Sequence, residues 1–299
     1  MRRATVKTEQ RSDDKVLLPR YTYLPTLVER ALDHFRHVLP PEVKDAVNTP
    51  WFEDDGLPLR WQLPAGVLFD LLHKGEPGIG WHVTIHFRDF PSDTLPVWEG
   101  DQPLLQAFLN SLKEAAVICA GSAAAVLQMS QQSQQNLWSS VQAADLTAYQ
   151  RVASSLHLTP KARGARSANV PVRLHFRNTS GDYMSSYEGI AYTSRPIGAG
   201  SGGQEQTLLQ TLQHILPQCF MLESGPTQSS GQSAESPPAV VDTPSVATGS
   251  DMQSIGLTFL HGHRVLIAGI QPSLQTSLMS LHAALHAADM FLYVTVIVH

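Results

Sequence analysis

Lysine is scarce in this chain: six occur, the last at position 161, and between Lys74 and Lys161 the only one is Lys113. It stands in "AFLNSLKEAAVICAG", residues 107 to 121, and with Glu114 it supplies the only charges between residues 102 and 144. A primary amine in such surroundings suits acyl transfer. Once neutral it can attack a thioester, and little ionised surface loses water when an enzyme covers it. At 100° per residue Lys113 flanks the Leu112 stripe beside Gln106, Asn110 and Val117, so its stem covers apolar surface and its amine reaches water. Positions 109, 110, 116 and 117 hold no acid, so no intrahelical ion pair is expected. Composition leaves open whether Lys113 is an acceptor or surface filler.

Other reactive side chains carry weaker patterns. Cys119 and Cys219 each sit among apolar helical neighbours without an adjacent base, which reads as two inert core thiols rather than thioester nucleophiles. His82 and His86 share a strand face and His261 and His263 lie two apart, but no adjoining Cys, Asp or Glu completes a ligand set. These read as solvated strand histidines, with no metal and no cofactor expected. "GAGSGG", 198 to 203, lacks a following Gly-Lys-Ser/Thr and reads as a mobile connection rather than a phosphate loop.

The elements that position these residues follow from composition and period. The 299 residues, 42% hydrophobic, can bury more than one core, while a net charge of −5 and a pI near 6.2 give no basic field for nucleic acid. The opening "MRRATVKTEQRSDDK" lacks the apolar run of a secretory signal, and no run is long enough to span a bilayer. Two cysteines a hundred residues apart exclude a disulfide framework, and a cytoplasmic setting is expected.

"TLVERALDHFRHV" opens with a Thr26–Glu29 capping box and predicts a helix over 26–38. "PWFEDDGLPLRWQL" predicts a hairpin turning at Asp55–Gly56, "PAGVLFDLL" a helix, and "WHVTIHFRDF" a half-buried strand. From about 101 to 158 the period is helical, in two segments divided at Gly121–Ser122, with a glutamine-rich patch at 131–135 that reads as a connection or a helical stretch. "VPVRLHF", "SSYEGIAYTS" and "TLLQTLQHILPQCF" then repeat strand, strand, helix. Residues 224–253 hold no aromatic residue, leucine or isoleucine and read as a disordered insertion. "IGLTFLHGHRVLIAGI", the helix in "SLQTSLMSLHAALHAA" and "MFLYVTVIVH" close the chain. The expected class is α+β, with two ubiquitin-like (β-grasp) domains flanking a helix-rich domain: residues 1–95, 96–165 and 166–299.

"LLPRYTYLPTLV", "PWFEDDGLPLRWQLPAGVLFDLL", "WHVTIHFRDFP", "FLNSLKEA", "NLW" at 136–138, "VPVRLHF" and "IAGIQPSLQTSLMSLHAAL" occur in that order, and together they resemble the autophagy protein 5 family from about Leu17 onward. The resemblance implies two ubiquitin-like domains around a helical one. It also implies that one lysine, matching Lys113 here, receives the C-terminal glycine of autophagy protein 12 in an isopeptide bond through E1-like and E2-like enzymes. The conjugate of the family binds a helix of autophagy protein 16. It acts as an E3-like factor that promotes transfer of autophagy protein 8 to phosphatidylethanolamine, with peripheral membrane association at the phagophore assembly site.

On this reading the chain is non-catalytic alone, with no catalytic residue of its own. The alternatives are an unmodified ubiquitin-like adaptor that binds partner helices and a cysteine-dependent conjugating enzyme. The family opens its first domain with a strand carrying a Trp-x-Gly-x-Ile-Pro type motif. The first sixteen residues here hold none, so that domain is expected to lack its opening strand.

Overall fold

A computed structural model describes residues 16–37, 39, 49–73, 80–98, 100–160, 168–179, 190–201, 204–220 and 263–298. The expected missing opening strand and the expected 224–253 insertion both fall outside the described residues.

The first element departs from its expected start. Pro25 fixes its own φ in the turn Leu24–Leu27, so the chain is already winding before Thr26, whose hydroxyl donates back to the Tyr23 carbonyl at 2.6 Å. The capping box therefore does not form. Helix α1, Val28–Phe35, begins at Leu27 without a side-chain cap. Strands β1 (Trp51–Asp54) and β2 (Leu57–Pro58) form the expected hairpin, with positive φ at Asp55 (51°) and Gly56 (85°), the backbone that favours Asp-Gly. Helix α2, Ala65–Leu72, follows, and β3, Thr84–His86, pairs antiparallel with β1 to give the order β2-β1-β3. The 16–24 segment crosses the start of α2, where Gly66 donates to the Arg20 carbonyl at 2.7 Å. A Cβ at Gly66 would stand 2.6 Å from the Cβ of Arg20, so only glycine fits.

Four helices occupy the middle of the chain: α3 (Asp101–Ala120), α4 (Ala124–Leu127), α5 (Gln131–Gln142) and α6 (Leu146–Leu156). Gly121, left-handed at φ 70°, ends α3. The glutamine patch is the opening of α5, capped by Ser130 accepting from the Ser133 amide at 3.1 Å, and Asp145 caps α6 in the same way at 2.9 Å. Trp138, fully buried, packs 5.8 Å from Tyr23 and 5.6 Å from Phe108 between ring centroids. One hydrophobic core thus runs from Phe52 and Leu68 through Phe108 and Trp138 to Phe291.

The last part builds its own core on a sheet of β4 (Asn169–Asn178), β5 (Ile190–Gly198), β8 (Arg264–Ile267) and β9 (Leu292–Val298). The order is β5-β4-β9-β8, with β4 and β9 parallel at the centre and the outer pairs antiparallel, as a β-grasp requires. Helices α7 (Leu208–Ile215), α8 (Pro217–Phe220) and α9 (Leu278–Leu285) complete it, α7 behind a full Thr207–Gln210 capping box. Within "GAGSGG", Gly200–Ser201 (β6) pairs with Gln204–Glu205 (β7), while residues 202–203 lie outside the described residues.

The first and last parts also touch directly. Arg20 ion-pairs with Asp70 on α2 and packs against Gly269 beyond β8, while Arg177 on β4 donates to the Leu71 carbonyl. Burial raises the Asp70 carboxyl above its ordinary range, although the Arg20 guanidinium pulls it down.

Candidate functional site

Helix α3 carries the site because its two flanks differ. Phe108, Leu109, Leu112, Ala115 and Ala116 face the shared core, and Ser111 and Glu114 face the last sheet. The stripe left over holds Gln106, Asn110, Lys113 and Val117. Val117 is exposed and Lys113 half-buried.

The Lys113 Nζ donates to Asn110 Oδ1 at 3.3 Å, and the same oxygen accepts from Gln106 Nε2 at 2.8 Å. With no acid at positions 109, 110, 116 or 117, the intrahelical contact of Lys113 is a neutral amide at i−3, which adds no charge. The stripe of Gln106, Asn110 and Val117 beside the amine carries no charge.

Glu114, the other charge of the segment, is held on both carboxylate oxygens. Oε2 pairs with Arg173 Nη2 at 2.7 Å, and Oε1 accepts from the Ser194 hydroxyl at 2.7 Å, so it bridges β4 and β5. Arg173 is the hub. Its Nη1 donates to Ser111 Oγ at 2.5 Å, to the Tyr293 hydroxyl at 3.0 Å and to Asp289 Oδ2 at 3.3 Å, and its guanidinium lies 3.7 Å from the centre of the Phe291 ring. Asp289 Oδ2 also accepts from Ser111 at 2.5 Å and from Tyr293 at 2.7 Å. Burial works against the Arg173 charge, but Tyr293 and Asp289 outweigh it and hold the guanidinium pKa above its ordinary value; burial pushes the Tyr293 phenol well up.

Sequence reasoning missed this network. The apolar spacing of "VPVRLHF" gives Arg173 no role, whereas β4 is buried on both faces and α3 packs against it. The available signal was Glu114, an acid in a nearly uncharged helix that packs beside the strand bearing Arg173.

The remaining candidates take other roles. Burial pushes the Cys119 thiol up to about 12 and raises Cys219 as well, opposite to what an attacking thiolate needs. His82 is exposed. His86 is not a solvated histidine: its Nε2 lies 2.7 Å from Glu53 Oε2 across the β1–β3 pair, and its ring stacks on Trp51 at 4.0 Å. His261 lies outside the described residues, and His263 packs near Phe220. Among the described residues no group of three His, Cys, Asp or Glu is placed to hold a metal, and no helix is long and apolar enough to cross a membrane.

Two ubiquitin-like domains flanking a helical bundle define the class of protein. Family models for autophagy protein ATG5 match the chain in three consecutive parts: the UblA domain over residues 2–87, the alpha-helical bundle region over 102–159 and the UblB domain over 169–296. Autophagy protein 5 of Arabidopsis thaliana is 31% identical over 316 residues, covering 95% of this chain and 88% of the relative. That of Oryza sativa subsp. japonica is 33% identical over 252 residues, covering 74% of this chain, and the match spans 65% of the rice protein's length. The crystal structure of Kluyveromyces marxianus Atg5 shares the fold with a TM-score of 0.61 at 19% identity, covering 94% of this chain and 85% of that one. The chain belongs to the autophagy protein 5 family.

Proposed function

We propose that this chain is a conjugation scaffold of autophagy whose Lys113 accepts the C-terminal glycine of autophagy protein 12. The observation that carries the reading is Lys113 itself. It is the one lysine between residues 74 and 161, it lies in the segment that matches the family's helical region, and its Nζ hydrogen-bonds to a neutral amide. Val117 and the uncharged Gln106–Asn110 stripe give a covering enzyme little ionised surface to dehydrate.

The reaction needs nothing beyond the amine and an activated partner. The conjugating enzyme must desolvate the amine and take it in its neutral form, since only the neutral nitrogen is a nucleophile. The nitrogen then bonds to the carbonyl carbon of the enzyme-bound thioester. The carbonyl–sulfur bond breaks, the enzyme cysteine leaves as a thiol, and an isopeptide remains on Lys113. This chain supplies the nucleophile and its position; the E1-like and E2-like enzymes supply activation.

The resulting conjugate, with a helix of autophagy protein 16 bound, promotes transfer of autophagy protein 8 to phosphatidylethanolamine. It works at the phagophore assembly site as a peripheral, E3-like factor, not as an enzyme alone. The family membership and the exposed edge of helix α3 support this reading. The test is reconstituted conjugation with autophagy protein 12 and its two enzymes, comparing wild type with Lys113→Arg by gel shift. A shifted band that disappears only in the variant is expected. A band that persists in Lys113→Arg overturns the acceptor assignment, and no band with wild type beside a conjugated homologue leaves the adaptor reading in its place.

A further inference from the structure

We propose that Glu114, locked by Arg173 and Ser194, is a positioning residue for transfer to Lys113; this rests on the acceptor reading above. Glu114 follows Lys113 directly in α3, so its anchors tie the turn that presents the amine to the last sheet.

The anchor is unusually firm for a surface acid. Arg173, 13% exposed, is itself held by Ser111, Tyr293, Asp289 and the Phe291 ring, and Ser194 takes the second carboxylate oxygen from the neighbouring strand. The Glu114–Arg173 contact is expected to add little to stability. Glu114 is 47% exposed, where ion pairs contribute little, and Arg173 keeps its buried partners without it. A contact expected to add little to folding yet made on both oxygens, one residue from the acceptor, is suited to orientation. Its electrostatic effect points the same way. Glu114 and Lys113 are the only charges over residues 102–144, and the Glu114 carboxylate is already compensated by Arg173.

The test is single-turnover transfer from the charged conjugating enzyme to the full chain, with acceptor concentration varied, for wild type, Glu114→Ala, Glu114→Gln and Lys113→Arg. Glu114→Ala is expected to lower the maximal rate by about tenfold while the half-saturating concentration changes less than about twofold, the signature of lost orientation rather than lost binding. Glu114→Gln, which keeps an oxygen for Arg173, is expected to recover most of the rate, and the thermal midpoints of all four proteins are expected to coincide. Transfer to Glu114→Ala at the wild-type rate overturns the inference. So does a loss that tracks a fallen thermal midpoint and is not recovered by glutamine. Conjugation of Lys113→Arg in the same assay instead overturns the acceptor reading itself.

Discussion

Ser111 on the helix that carries Lys113 donates a 2.5 Å hydrogen bond to Asp289, 178 residues further along the chain. The contact is buried, and Asp289 holds Arg173 and Tyr293 through the same oxygen. Asp289→Ala leaves the Arg173 guanidinium against an apolar ring with its buried carboxylate gone, and is expected to cost about 3–5 kcal/mol. Denaturant unfolding checks this. A loss below about 1 kcal/mol means the network does not join the helical domain to the last sheet.

Trp138 ties the first domain to the helical one. It is fully buried between Tyr23 and Phe108, and Trp138→Ala is expected to cost about 3–5 kcal/mol. Because residues of both domains share that core, fluorescence of the remaining tryptophans and far-ultraviolet circular dichroism are expected to report one coincident transition. Separate transitions contradict a shared core.

Acid is expected to weaken the last domain through two buried histidines, His175 on β4 and His282 on α9. Burial lowers His175 and His282 from 6.5 to about 4. Between those values the unfolded chain binds protons that the folded chain does not, so stability is full above pH 6.5 and falls as pH drops toward 4, by about 1 kcal/mol per pH unit for each group. His175→Phe, beside Tyr192 and Tyr293, is expected to flatten the slope over that window and leave stability at pH 8 nearly unchanged. An unaltered slope contradicts the assignment.

Cys119 is expected to resist iodoacetamide at pH 7.5 in the folded chain and to react once denatured, since burial holds it as a thiol. Cys119→Ala is expected to conjugate at the wild-type rate. Loss of conjugation in that variant at unchanged stability favours a cysteine-dependent enzyme.

Periodicity carried much of this architecture. The Asp55–Gly56 hairpin, the helix from Ala65 and the strand, strand, helix order of the last domain were all readable, because each depends on local spacing of apolar residues and turn formers. The start of α1 was not, since Pro25 wound the chain ahead of Thr26. Lys113 stood out by its rarity and needed family resemblance to acquire a role. Arg173, Asp289 and Tyr293 were hidden because a strand buried on both faces breaks the alternation rule, and because Arg173 meets the other two across more than a hundred residues.

The most direct measurement is the peptide mass of the conjugate. Trypsin meets no lysine or arginine between Arg88 and Arg151 except Lys113, so an unmodified chain yields peptides 89–113 and 114–151. If Lys113 carries the isopeptide, the conjugate yields a single branched 89–151 peptide bearing the C-terminal remnant of autophagy protein 12, and the two shorter peptides vanish. A shifted band whose digest still contains both, with the remnant on another lysine, contradicts the account.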